Sequence, residues 1–373
     1  MNETRATRHQ RLRRRARIAS AATGGAVLAG VALTPASRRL AVWAAGGADP
    51  GPAAVAAFVL VIVALLEIAA LPGLWYFEYR GAGRARAARV PAREVIGAQA
   101  QAALVATVGA LAAAGVWLAA VAVAGPWWWV AASGLVAAML LAGLRGVPAL
   151  FSRLAVARPL TRPGLAERLD ALGSRARVRV GSVHEWRLAP GAGPTALVTG
   201  FGRTRRVFIA TSLLTDWSDD EIAVVVAHEL GHHRHHDLWV TLALDGGIAG
   251  AALFLADAVL RRLPGGFGFA GPGDLAALPC LALVAAGVWL AATPIRHAVS
   301  RRQERRADMF ALAVTGGAEA FSAAVRRLGE QHLAEERPSR LARWWFARHP
   351  PVAERVALAE AYRRLRAISP SSR

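Results

Sequence analysis

Lysine is missing from this chain: all 45 basic residues are arginine, set against 25 acids for a formal net charge of +20. An arginine, alanine and glycine excess without lysine reads as GC-rich codon usage. No basic stretch is interleaved with aromatics in the way nucleic-acid grooves require, so nucleic acid is not expected as a partner. Cysteine is nearly missing too. The single Cys280 lies inside an apolar run, which rules out an intrachain disulfide and a cysteine-ligated zinc site; it reads as a small packing or lipid-facing residue. Charge is scarce for a soluble protein. Hydrophobic residues make up 55% and charged ones 19% of 373 residues, a balance that points to several membrane spans. No internal repeat is present.

What is there is a series of apolar runs. Roughly 20 apolar residues carry a helix across the hydrocarbon core, and six stretches meet or approach that length: 18–36, 53–77, 102–124, 127–144, 239–260 and 275–295. The first, with its basic start and small-residue tail, also fits a secretory signal. Trp127, Trp128 and Trp129 open the fourth and suit an interfacial aromatic belt. Arginines crowd alternate loops: Arg5, Arg8, Arg11, Arg13, Arg14, Arg15 and Arg17 before the first stretch, Arg80, Arg84, Arg86, Arg89 and Arg93 after the second, and Arg145, Arg153, Arg158 and Arg162 after the fourth. The intervening loops hold only Arg38 and Arg39, then Arg261 and Arg262. The positive-inside rule therefore puts the N-terminus, residues 145–238 and the C-terminal region in the cytoplasm of a multi-pass cell-membrane protein. The resulting division is a basic N-terminus (1–17), a four-helix membrane region (18–150), a cytosolic catalytic part (151–238), a membrane helical hairpin (239–295) and a second cytosolic catalytic part (296–373). The expected fold is mainly α and integral to the membrane. About six transmembrane helices carry a cytosolic zincin-like α+β domain with a small sheet.

Within the cytosolic insertion, "RVRVGSVHEW" (177–186) alternates like a strand, and "TALVTGFGRTRRVFIAT" (195–211) reads as a hairpin around a Gly/Arg turn. Ser218 followed by Asp219, Asp220 and Glu221 is a helix start. The helix it opens runs into "VVAHELGHHRHHDLW" (225–239), in which His228, Glu229 and His232 form H-E-x-x-H. Positions i and i+4 share a helix face, so two imidazoles there can bind one Zn²⁺ at about 2.0–2.1 Å. Glu229, beside the first ligand, can take a proton from zinc-bound water. Gly231 lets another backbone or a substrate come close, at a cost in helix propensity. The five-residue pattern alone is common by chance.

A hydrolytic site needs a third protein ligand. In "VSRRQERRADMFAL" (299–312), Glu304 and Asp308 again stand i, i+4. Glu304 can be that ligand, and Asp308 can orient a ligand imidazole; the alternative is a surface helix of Arg–Glu pairs. His232 lies seven residues before the fifth apolar stretch and Glu304 nine after the sixth, heights of roughly 10 and 14 Å if both helices continue. A membrane hairpin would bring both sets to one level, which favours the catalytic reading. The remaining polar residues have plainer readings. His233, His235 and His236 read as solvated or interfacial, Asp237 as a cap or arginine partner, His184 as a strand residue and His297 as a residue that could touch substrate. Glu67 and Asp245, within apolar runs, could line a chamber, and Asp257 could reach the surface. "SPSSR" at the C-terminus reads as disordered.

With both ligand sets in view, the chain resembles the integral-membrane gluzincins of metallopeptidase family 48, which comprise the CAAX prenyl proteases and the heat-shock-type membrane proteases. The residues that carry the resemblance are "TSLLTDWSDDEIAVVVAHELGHHRHHD", "SRRQERRADMFAL" and "HPPVAERVALAE", within about 195–360. It implies one Zn²⁺ per chain on His228, His232 and Glu304, Glu229 as general base, and Asp308 as proton donor or as support for a ligand. It also implies that His349 and Arg355 hold substrate or the oxyanion. Members commonly open the edge strand beside the site with Asn-Ala. Here Thr195-Ala196 stands in its place, so the strand keeps its backbone donors and acceptors but not that side chain. The implied function is a membrane-embedded zinc endopeptidase acting on proteins or peptides at the cytosolic face. Two other readings remain: an antirepressor-type sensor-transducer peptidase, whose usual external sensor is not visible, and a non-catalytic transporter or scaffold.

Overall fold

A computed structural model describes residues 4–47, 50–76, 92–154, 157–187, 195–200, 202, 205–262 and 269–368. Arg80, Arg84, Arg86 and Arg89, residues 201, 203 and 204 of the hairpin turn and the "SPSSR" tail lie outside the described residues, as do the side chains of Arg145 and Arg153. The described chain is mainly helical: α1 (Arg5–Ala32), α2 (Ala36–Ala45), α3 (Pro52–Tyr76), α4 (Ala92–Ala124), α5 (Trp128–Leu154), β1 (Ala157–Pro159), α6 (Pro163–Arg175), β2 (Ser182–Trp186), β3 (Ala196–Thr199), β4 (Arg206–Ala210), α7 (Thr211–Asp216), α8 (Asp219–Arg234), α9 (Asp237–Arg262), α10 (Leu278–Thr315), α11 (Ala318–Gln331), α12 (Arg340–Phe346) and α13 (Val352–Ile368). It divides into two compact units. One comprises residues 1–7, 140–244 and 293–373, and the other residues 8–139 and 245–292.

Among the described residues, four helical runs are long and apolar enough to cross a membrane, or five if the bent pair α1 and α2 makes one span. The expectation of six differs for two reasons. Stretches 102–124 and 127–144 fall in one helical run, Ile96–Gly143, of 48 residues. At 1.5 Å per residue that is about 72 Å, more than two hydrocarbon thicknesses. The three-residue 3-10 turn Gly125–Trp127 divides it, with Gly125 at φ +48°. The 18–36 stretch is not straight: the chain turns by 73° between α1 and α2. Pro35 sits at that break, where it can donate no hydrogen bond and restricts Thr34 before it. Trp128, expected in an interfacial belt with Trp127 and Trp129, is fully buried. Its indole donates to Asp257 at 2.6 Å, and Arg261 holds the other carboxylate oxygen at 2.8 Å. Asp257 is therefore buried and paired rather than exposed. Glu67 accepts from Gln99 at 2.7 Å.

In the first unit, four strands form one sheet in the order β1-β2-β4-β3. β3 and β4 are the antiparallel hairpin expected from 195–211, with Leu197 opposite Phe208. Only 182–186 of the alternating 177–186 stretch is a strand, and β2 runs parallel to β4, a pairing that adjacent-strand patterning does not reveal. The core beneath comes from Leu165, Leu169 and Leu172 of α6, Val207 and Ile209 of β4, Ile222, Val226 and Leu230 of α8, Leu312 of α10, and Phe321 of α11. Ile222, Val226 and Leu230 repeat every fourth residue, so they share one face of α8. Burying each is worth about 1.5–3 kcal/mol, and that face fixes α8 against the sheet. Ser218 caps α8 by accepting from Glu221 N–H, while its own N–H donates to the Glu221 carboxylate at 2.9 Å, the reciprocal arrangement expected from "SDDE".

Candidate metal centre

The helix face of α8 opposite its buried stripe carries His228 and His232, whose rings meet edge to face. Both point Nε2 inward, 3.2 Å apart. Glu304, from α10, closes the group: Oε2 lies 3.3 Å from His228 Nε2 and Oε1 3.6 Å from His232 Nε2. A tetrahedral ion with donors at 2.0–2.1 Å sets those donors about 3.3–3.4 Å apart, so the spacing fits one ion at their centre. His228, His232 and Glu304 are the one such group of three among the described residues.

Each imidazole is backed by a carboxylate on its far nitrogen. His228 Nδ1 stands 2.9 Å from Asp308 Oδ1, and His232 Nδ1 2.8 Å from Asp237 Oδ2. With both Nδ1 atoms beside carboxylates, although the His228 contact is not a well-aligned hydrogen bond, both Nε2 atoms face the centre at 3.2 Å, where a proton or a metal ion must sit between them. Glu304 Oε2 supports the same conclusion. It is buried and accepts no well-aligned hydrogen bond, although His349 Nδ1 is 2.9 Å away. The residues present therefore fit a metal ion. Without one, burial pulls the His228 pKa down, but the Asp308 and Glu304 carboxylates outweigh it and push it up to about 10. A bound cation takes the place of that proton.

Asp237 is the functional residue that the sequence did not disclose. It was expected to cap or to pair with arginine; it does pair with Arg306, but it also orients His232, and Gln303 donates to its backbone carbonyl at 3.1 Å. The only signal for it was the five-residue spacing from His232, across the turn between α8 and α9. Arg355, linked by the resemblance to substrate or oxyanion, is committed elsewhere. Its guanidinium grips Asp308 through two hydrogen bonds of 2.8 and 2.5 Å, and its side chain is mostly buried. His349 does join the site, through Glu304, with its side chain 66% exposed. Asp308 is fully buried. Glu229 adjoins His228 on the same helix, and burial pushes its carboxyl above the usual range against the pull of the two histidines.

Gly231 owes its place to α10. A Cβ there would lie 3.1 Å from Ala307 Cα and 3.2 Å from Phe310 Cδ1, so the close approach is to a helix backbone, one turn beyond Glu304. Alanine would gain up to about 1 kcal/mol of helix propensity yet push α10 outward. Gly231→Ala is expected to weaken divalent-metal binding at least tenfold in a competitive chelator titration; unchanged affinity would show that α10 tolerates the shift.

β3 ends the sheet, beside α8. Ala210 N–H donates to Thr195 C=O at 2.9 Å, so the alternation of an antiparallel pair turns the backbone groups of Ala196 and Val198 outward. Val198 C=O is bonded by His233 Nε2 at 3.0 Å. His233 is thus a tie between helix and sheet edge rather than a solvated residue, and burial lowers its pKa. The Thr195 hydroxyl lies 3.4 Å from Ala196 C=O. His184 stacks on Phe208, and His297 is bonded to Trp344 C=O at 3.1 Å.

Fold and site together define the class: an integral-membrane, mainly helical protein with a gluzincin-like metal centre. A family model described as Peptidase family M48 matches residues 185–363. The chain is 31% identical over 236 residues to Protease HtpX of Chromohalobacter salexigens, covering 56% of this chain and 77% of that protein. It is 29% identical over 207 residues to an uncharacterized metalloprotease, YhfN, of Bacillus subtilis, where it spans about half of the relative, 49%. Among solved structures, Ste24p of S. mikatae matches with a TM-score of 0.71 over 86% of this chain and 80% of that one, at 16% identity, which is a likeness of fold. The chain belongs to peptidase family M48.

Proposed function

We propose that this protein is a membrane-embedded zinc endopeptidase that hydrolyses peptide bonds of proteins or peptides at the cytosolic face, with residues 151–238 and 296–373 as its catalytic parts. The observation that carries the reading is the triad of donor atoms at 3.2, 3.3 and 3.6 Å, each imidazole backed by its own carboxylate. His228, His232 and Glu304 would hold one zinc ion per chain. When bound, the ion supplies a Lewis acid that polarises a carbonyl and makes water nucleophilic near neutral pH. Glu229 takes the water's proton and returns it to the leaving amine. Asp308 and Asp237 keep the two rings aimed at the centre, and Arg355 holds Asp308 in place. His349, with one nitrogen at Glu304 and most of its ring in solvent, would contact the substrate carbonyl. The substrate lies extended along β3, adding a strand to the backbone groups of Ala196 and the N–H of Val198, whose carbonyl His233 already holds; Thr195 begins that edge. The cytosolic orientation rests on the arginine distribution along the sequence.

The test uses purified full-length protein. One zinc per chain is expected by elemental analysis. A strong chelator should abolish casein cleavage, and stoichiometric zinc should restore it. Full cleavage by metal-free protein would overturn the reading.

A further inference from the structure

We propose that α12 is a foot that seats on the lipid bilayer surface, with Leu341 and Trp344 inserted at the headgroup–acyl boundary. A seven-residue helix does not hold its shape unaided, and this one is held by two side chains from α10. His297 Nδ1 bonds Trp344 C=O at 3.1 Å, and Arg301 Nη1 bonds the carbonyls of Arg343 and Ala347 at 2.8 and 2.7 Å. Both are buried, and they satisfy carbonyls that the end of α12 leaves open. Their position along α10 sets a level. The apolar run of α10 closes at Ile295, before Arg296. His297 and Arg301 follow two and six residues later, about 3 and 9 Å along the axis. The interfacial layer on each side of the hydrocarbon core is about 5–8 Å thick, so the His297 tie falls within the headgroup layer and the Arg301 tie at its outer edge.

What α12 exposes matches that layer. Leu341 is 73% and Trp344 59% exposed, although a charged surface would be the norm for a cytosolic helix. Residues 337–353 contain no acid. Arg337, Arg340 and Arg348 are exposed around the two apolar side chains, complementary to lipid phosphates. Tryptophan at this depth, with arginine beside it, is the composition of an in-plane interfacial helix. The foot also fixes His349, five residues beyond Trp344, whose ring meets Glu304.

The test is a depth measurement on the full-length protein in nanodiscs. Leu341→Cys and Trp344→Cys, in a Cys280→Ala background, carry nitroxide labels, with Glu330→Cys on α11 as an exposed reference. At 341 and 344 the expected ratio of oxygen to nickel-chelate collision is several-fold above that at 330, and higher still with anionic than with zwitterionic lipid. Nickel access equal to that at 330 would overturn the proposal. So would exclusion of both reagents with dipolar broadening, which would mean that a second copy covers the face. The measurement needs no turnover, so it stands or falls apart from the peptidase reading.

Discussion

Glu229→Gln is expected to lower cleavage by about 10²–10⁴-fold, the range of a lost general base, while zinc stays at one per chain. The substitution keeps the volume and removes only the ability to take a proton. The three donors of the centre, His228, His232 and Glu304, are separate from it, so the ion has no reason to leave. Glu229 follows His228 directly on a helix whose other face is locked into the core by Ile222, Val226 and Leu230. That anchoring leaves the Glu229 backbone no freedom to swing away, so the loss should appear in kcat rather than KM. Elemental analysis and casein turnover on the same preparation decide it. Retained cleavage would remove Glu229 from the role; lost zinc would mean that the carboxylate supports the ion instead.

Much of this centre could be read before any coordinates, because it is written in local spacing. His228 and His232, like Glu304 and Asp308, are i, i+4 pairs on helices, and a helix puts such pairs on one face whatever surrounds it. The Ser218 capping box is equally local and formed as expected. The meeting of α8 with α10 was legible for a different reason: the two apolar stretches between them left both sets at similar heights. What could not be read depends on non-local packing. Asp237 orients His232 only because the chain turns back between α8 and α9, with His236 at φ +59°. The parallel pairing of β2 with β4 needs a crossover that alternation does not encode. Trp128 followed a sound rule for interfacial aromatics, but a buried carboxylate, Asp257, claimed its indole N–H. Arg355, given only a substrate or oxyanion role by the resemblance, is mostly buried because it pairs with Asp308, 47 residues earlier.

Removing the Asp308 carboxylate should damage the protein in two separable ways. Asp308 is fully buried between a ligand imidazole and the mostly buried Arg355. In Asp308→Ala the guanidinium stays buried without its partner, a loss of about 3–5 kcal/mol, and His228 loses the group that aims its ring, a loss of about 10–100-fold in metal affinity. Asp237→Asn gives the contrast. It too orients a ligand, but its partner Arg306 keeps 42% of its side chain exposed, so water can solvate that cation when the carboxylate charge is gone. Affinity should fall there with little change in stability. Asp308→Asn separates positioning from proton donation: the amide keeps the shape and can still meet His228, but it carries no acidic proton. If Asp308 only positions His228, turnover should fall no further than the weaker amide contact lowers zinc affinity, and zinc in excess should recover it. Normal affinity with turnover that excess zinc cannot rescue would instead make Asp308 a proton donor, and the bidentate grip of Arg355 would then serve to set its acidity.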